Sequence, residues 1–250
     1  MIVLITGASA GFGEVIAQRL CADGHTVVAT ARRADKLRTL AARSGPGLVP
    51  MALDVCARQD VFALVEQVTR EVGPIDVLIN NAGLALGLGP AHEADLDEWE
   101  TMVDTNIKGV LYCTRAALPG MVARNSGTII NMGSVAGTYP YPGANVYGST
   151  KAFVHQFSLN LRADLVGKNI RVTSIEPGLC SGTEFSVTRL HGDVERAAGI
   201  YAGTQALTAT DIADTVSWLV SRPAHVNINT IEMMPTCQAS GNFAIVRHAT

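Results

Sequence analysis

Ile2-Val3-Leu4-Ile5-Thr6-Gly7-Ala8-Ser9-Ala10-Gly11-Phe12-Gly13 opens on four apolar residues and ends with three glycines in seven positions. An unbroken apolar run of this length reads as a strand covered on both sheet faces. From Phe12 the apolar residues fall at helical spacing through position 21, and Asp23-Gly24 ends that helix. Gly7 to Gly13 is therefore a strand-to-helix turn. Glycines let such a turn close tightly and approach a diphosphate, and the helix start offers free N–H groups and a positive dipole end. The spacing is G-x-x-x-G-x-G, and any tight turn of this kind favours glycine. Its place at the first strand-helix junction is what points to a nucleotide.

Outward from this turn the same alternation repeats. Strands are expected at 2–6, 25–30, 48–53, 76–80, 127–132, 170–175 and 226–234. Helices are expected at 12–21, 34–42, 58–72, 96–118, 145–165 and 211–221. Strands alternating with helices read as βαβ units, hence an α/β fold with a mostly parallel sheet. No repeat, low-complexity run or linker divides positions 1–250, so one Rossmann-type, doubly wound domain is expected. The stretch 181–203 is the longest irregular or weakly helical region. It is expected to be an insertion that covers the substrate.

The whole-chain balance removes several classes of function. A net charge of −3 leaves no electrostatic footprint for sequence-independent nucleic-acid binding. The five cysteines are scattered, without C-x-x-C, which argues against both a disulfide framework and a zinc site; no metal is expected. No apolar run approaches transmembrane length, and Ile2–Ile5 is too short for a signal peptide, so no membrane partner and a cytoplasmic location are expected.

Chemistry-bearing residues fall at the carboxyl ends of the strands, where open α/β sheets bind ligands. Arg32 and Arg33 follow the second strand, where an NAD site would place an acid for the ribose 2′-hydroxyl. Two arginines suit a 2′-phosphate and so favour NADP, and Asp35 belongs to the next helix's first turn. Asp54, after the third strand, is placed to contact adenine and equally fits a helix N-cap. Asn81-Ala82-Gly83 follows the fourth strand. Asn106 falls on the apolar stripe of the 96–118 helix, made by Trp99, Met102, Val103, Ile107, Val110 and Leu111. A buried amide there is either a structural hydrogen-bonder or the holder of a catalytic water. Ser134 follows the fifth strand, where its hydroxyl can meet a substrate oxygen or simply form the Gly-Ser turn. Tyr147 and Lys151 are four residues apart and share one helix face. An ammonium beside a phenol lowers its ionisation from about pH 10 and fits it to exchange a proton with an alcohol or carbonyl.

In order, T-G-x-x-x-G-x-G, N-N-A-G, the helix Asn, the Ser, Y-x-x-x-K and Pro177-Gly178 resemble the short-chain dehydrogenase/reductase family along the whole chain. The resemblance implies a seven-stranded parallel sheet of order 3-2-1-4-5-6-7 between helix layers, assembled as a homotetramer. It implies Tyr147 as acid/base, Lys151 as the group that lowers its pKa and binds the nicotinamide ribose, Ser134 as the residue that orients the substrate oxygen, and Asn106 as holder of a proton-relay water. Around NADP it implies Gly7, Ala8, Ser9, Ala10, Gly11, Phe12, Gly13, Arg32, Arg33, Asp54, Val55, Asn81, Ala82, Gly83, Tyr147, Lys151, Pro177, Gly178 and Thr183. The stretch Gly178–Thr183 is one residue longer than in many relatives.

Asn80–Gly87, Asn145–Phe153, Glu176-Pro-Gly-Leu179, Thr183-Glu-Phe185, Pro223–Asn229 and Glu232-Met-Met-Pro235 resemble one bacterial subgroup. Its members are NADP-dependent oxidoreductases that act at C3 of short 3-hydroxy acids such as serine, L-allo-threonine and 3-hydroxypropionate, and run backwards on semialdehydes. Similar segments occur in reductases of sulfoacetaldehyde, a second small anionic aldehyde. A third reading is an NADP-sensing binding protein on the same fold, but such proteins commonly lose the Tyr or the Lys. An anionic substrate needs a cation. Arg189 is the candidate, with His191 and Arg196 nearby, and Leu84–Pro90 is a candidate pocket wall.

Overall fold

A computed structural model describes residues 1–240, so the last ten positions of the expected single domain lie outside the described residues. In chain order the elements are β1 (Ile2–Thr6), α1 (Gly11–Ala22), β2 (Thr26–Ala31), α2 (Ala34–Ser44), β3 (Leu48–Ala52), α3 (Arg58–Glu71) and β4 (Val77–Asn80). There follow α4 (Leu96–Val103), α5 (Gly109–Arg124), β5 (Gly127–Met132), α6 (Asn145–Asp164), β6 (Ile170–Pro177), α7 (Phe185–Arg189), α8 (Val194–Gly199), α9 (Ala209–Val220) and β7 (Thr230–Met233). The strands form one parallel, seven-stranded sheet of order β3-β2-β1-β4-β5-β6-β7, the expected topology.

The central strands are apolar because helices cover both faces. One core joins β1, β2 and β4 to α1, α2 and α9 through residues such as Val3, Ile5, Ile16, Leu20 and Val216. On the other face Leu4, Leu78, Ile129 and Val172 meet α3, α5 and α6. Successive side chains of one strand thus serve two separate cores, which is why alternation is lost from their sequences. The order of strands reverses beside β1, between β1 and β4, which opens a crevice at the carboxyl ends of the sheet.

Two expected boundaries shift by several residues, each for a local reason. The helix expected at 96–118 runs to Arg124 as α4 and α5 joined by a π-helical turn at Asp104–Lys108. Immediately after that turn, Gly109 packs on Val55, whose Cγ2 is 2.8 Å from where a Cβ would stand. The strand expected at 226–234 is only Thr230–Met233. The Asn227 side chain takes the place of ladder pairing, accepting from Val172 N at 2.7 Å and donating to Val172 O at 3.1 Å. The stretch 181–203 holds two short helices, α7 and α8, joined through His191, which has φ +54°.

Candidate active site

A cleft of about 750 Å³ lies along the carboxyl ends of the strands. The glycine turn forms its floor. Gly7 and Gly11 have φ of +70° and +60°, which glycine adopts without strain. Thr6 and Asn81 support the turn: Thr6 Oγ1 accepts from Asn81 N and Ala82 N, and Asn81 Nδ2 donates to Thr6 O and Gly7 O. Asn81 therefore both lines the cleft and holds the turn in shape. Gly13 is packed beneath it. A Cβ there would strike Gly7 O and stand 2.5 Å from Asn81 Nδ2. Gly13→Ala is expected to lower stability by about 1–3 kcal/mol, as overpacking does; an unchanged melting temperature would contradict this reading of the turn. Ala8 is fully buried, its N–H donating to Thr30 O, so it shapes the turn from behind the cleft surface.

The start of α1 has an N-cap, Ala10, with no side-chain hydrogen bond to the first N–H groups. A helix start with free donors, beneath glycines that admit close approach, suits a phosphate. Ser9, Ala10, Gly11 and Phe12 line this part of the cleft. At its rim Arg32 and Arg33 follow β2, with Asp35 inside α2 as expected. Arg33 Nε donates to Ser9 Oγ at 3.1 Å. Asp54 and Val55 line the next portion. Asp54 accepts from Cys56 N at 3.0 Å and is not the cap of α3, whose N-cap is Ala57. Ala82, Gly83, Pro177, Gly178 and Thr183 complete the lining among the expected residues. This surface fits a dinucleotide.

At the far end of the cleft stand Ser134 and Tyr147. Ser134 caps the start of a short 3₁₀ turn, Val135–Gly137, its Oγ accepting from Ala136 N at 3.1 Å. That turn is pressed onto α6. A Cβ on Gly137 would lie 2.7 Å from the Lys151 carbonyl carbon, and one on Gly148 would lie 2.9 Å from Ala136 O. The two glycines bring Ser134 and Tyr147 together. Tyr147 and Lys151 are both only 7% exposed, and Lys151 Nζ is 5.9 Å from the Tyr147 ring centre.

The electrostatics correct one expectation. Burial pushes the Tyr147 phenol up to about 12, against the neighbouring Ser134 hydroxyl and the nearby charge of Arg189, which favour ionisation. Lys151 is drawn to a different partner. Its Nζ donates to Met132 O at 2.8 Å, and burial brings the ammonium itself down to about 8. Desolvation penalises both charged forms, and here it outweighs the pairing inferred from spacing.

Asn106 sits on the π-helical turn, 1% exposed. Its Nδ2 donates to Leu84 O and Thr150 Oγ1, and its Oδ1 accepts from Leu84 N. Both amide hydrogens are used, so the side chain fastens the loop after β4 to α6. The second lone pair of Oδ1 is what it retains for a water.

Arg189 is not a solvated loop residue. It is 7% exposed and donates from Nε to Gly87 O, from Nη1 to Tyr141 Oη and from Nη2 to Gly143 O, at 3.0, 2.7 and 3.2 Å. Its guanidinium lies 5.4 Å from the ring centres of both Tyr141 and Tyr147. Among the described residues no carboxylate pairs with it. His191 turns to Glu98 at 3.3 Å and Arg196 is exposed on α8; neither lines the cleft. Leu84, Ala85 and Leu88 form an apolar wall. Tyr141 was not expected here and Phe185 only as part of Thr183-Glu-Phe185, yet both line the cleft and Phe185 packs on Tyr147 with ring centres 5.6 Å apart. The Tyr139-Pro-Tyr141-Pro run after Ser134 was the available signal for the first.

The short-chain dehydrogenase family model matches residues 1–192. The chain is 54% identical to the NADP-dependent 3-hydroxy acid dehydrogenase YdfG of Escherichia coli strain K12, across 99% of this chain and 100% of that one. It is 47% identical to a serine 3-dehydrogenase of Rhizobium radiobacter, across 99% and 98%. A solved structure of serine dehydrogenase in closed form with NADP⁺ superposes with a TM-score of 0.96, at 54% identity and full coverage of both chains. With the ordered motifs now gathered around one cleft, the chain belongs to the short-chain dehydrogenase family.

Proposed function

We propose that this protein is an NADP-dependent oxidoreductase acting at the C3 hydroxyl or carbonyl of short 3-hydroxy acids, of the serine, L-allo-threonine and 3-hydroxypropionate type. Family membership, and the NADP dependence carried in the names of full-length relatives at 54–56% identity, support the reaction class and the cofactor. NADP supplies hydride acceptance and donation; the protein binds, orients and handles the proton.

The observation that carries the substrate class is Arg189. A buried guanidinium whose three bonded N–H groups all go to neutral oxygens is an uncompensated charge with two donors to spare. A carboxylate supplies both the charge and a two-pronged acceptor. A substrate anchored there, beside the Tyr147 ring, brings its C3 oxygen within the reach of Tyr147 and Ser134. In oxidation the hydroxyl proton goes to ionised Tyr147 as hydride leaves C3. In reduction neutral Tyr147 gives its proton to the carbonyl oxygen, with Ser134 holding that oxygen in place. Lys151, in this reading, also holds the nicotinamide ribose, and Asn106 keeps the relay water beside it.

Arg32 and Arg33 are read as the 2′-phosphate site. Arg33→Ala is expected to raise KM for NADPH by roughly tenfold or more, the value of one lost charge-assisted hydrogen bond, while changing KM for NADH little. Equal effects on the two cofactors would remove that assignment.

The substrate reading is tested by kcat/KM across serine, L-allo-threonine, 3-hydroxypropionate, their semialdehydes and sulfoacetaldehyde. The hydroxy acids and their semialdehydes should lead. Preference for sulfoacetaldehyde, whose sulfonate would also satisfy Arg189, would select the second reading. NADPH binding without turnover of any of them would select a sensor.

We read positions 1–250 as one unit, with 181–203 as its substrate-covering part, and the assembly as a cytoplasmic homotetramer. Supporting the assembly, Phe153 and Phe157 stack at 5.7 Å on α6 and are only half-buried within the chain. Among the described residues no helix is long and apolar enough to cross a membrane.

A further inference from the structure

The segment after β6 crosses the cleft as a strap and is fastened on both sides. Near its start Thr183 lies over the glycine turn; a Cβ on Gly11 would be 3.4 Å from the Thr183 Cβ. Next, Glu184 reaches the opposite rim. One carboxylate oxygen accepts from Arg33 Nη1 at 2.8 Å and the other from Lys36 Nζ at 2.6 Å. These two cations hold its carboxyl below the usual range. Then α7 lays Phe185 and Arg189 against Tyr147. On the far side Gly87 N donates to Arg189 O at 3.0 Å, and His191 meets Glu98.

The far fastening uses backbone bonds and a buried arginine. The near one is three half-exposed side chains, with 42–50% of each side chain open to solvent. Exposed pairs of this kind are individually weak and screened by salt. That inequality makes the near edge the one that can open, and it is the edge beside the cofactor's adenosine end.

We infer that Glu184 is a positioning residue that clasps the strap across the bound dinucleotide by gripping Arg33 and Lys36. The clasp joins the rim that reads the cofactor to the helix that sets Arg189 over Tyr147. Cofactor leaves when it opens. This rests on the dinucleotide lying in the cleft as proposed above, a placement that the Arg33→Ala comparison of NADPH with NADH tests separately.

The test is the rate of cofactor release from the intact holoenzyme, followed by NADPH or NADH fluorescence after a chase with excess NADP⁺. Glu184→Gln should speed release of both cofactors by about 3–10-fold, the span expected for two exposed ion pairs, without moving the melting temperature. Lys36→Met should speed release alone but add little in the Glu184→Gln background, because the two side chains act through one contact. Wild-type release rates in Glu184→Gln would overturn the clasp. So would effects that simply multiply in the double variant. An effect confined to NADPH would overturn it too, since Glu184 would then be tuning the 2′-phosphate site and closing nothing.

Discussion

Tyr147→Phe should cost about 10²–10⁴-fold in kcat, the usual worth of a positioned acid or base, while the protein stays folded and binds NADPH almost as before. The ring remains to pack on Phe185 and beneath Arg189, so only the hydroxyl is lost from a buried site. Turnover near wild type would remove Tyr147 from the chemistry. The pH profile gives an independent check. Burial raises this phenol, so its acid form persists through neutrality and the reduction rate should be flat there. Oxidation needs the phenolate, so its rate should climb by up to about tenfold per pH unit as alkali is added, the slope of one ionisation. A positive charge near the phenol, whether Arg189 or the oxidised nicotinamide, moves the climb to lower pH without changing its sign. An oxidation rate that falls as pH rises from about 7 to 9 would contradict the assignment.

The second large effect belongs to Arg189. Arg189→Met keeps the apolar stem but removes the charge, and should raise KM for 3-hydroxy acids by about 10–100-fold, the loss of one or two hydrogen bonds to a charged group. A neutral alcohol of the same chain length should change by no more than about threefold. The contrast matters because Arg189 also ties Gly87, Tyr141 and Gly143 together. A merely structural arginine would damage both substrates alike, and a uniform loss would leave the substrate's anionic group without a partner in this cleft.

Much of the fold was legible because the sheet is covered on both faces. Runs such as Ile2–Ile5 and Val77–Ile79 have no polar alternation to hide them, and Gly or Pro marks most of their ends. What escaped depended on side chains substituting for backbone or on long-range packing. Asn227 shortens β7 by taking Val172's hydrogen bonds, and nothing in its neighbours announces that. The π-helical turn at Asp104–Lys108 lies in a sequence with no proline, and Gly109 becomes meaningful only when Val55 is seen against it.

The site divides the same way. The positions of Gly7, Gly11 and Gly13, Tyr147 and Lys151 are readable because each expectation needs one residue type at one spacing. The strength of desolvation was not readable. A four-residue spacing says that an ammonium is near a phenol, but whether it faces the phenol or Met132 O depends on the β5 backbone. Arg189 could be named as the candidate cation, but its burial could not be read, because its partners are two carbonyls and a tyrosine from distant loops. Glu184 carried no reading of its own in the sequence because Arg33 and Lys36 are about 150 positions away.

The most direct measurement follows the hydrogen itself. Serine deuterated at C3 is offered with NADP⁺, and the reduced cofactor is analysed by mass spectrometry. Deuterium is expected in the NADPH, one label for each aldehyde formed. Unlabelled NADPH, or NADP⁺ that stays oxidised with every 3-hydroxy acid offered, would contradict it.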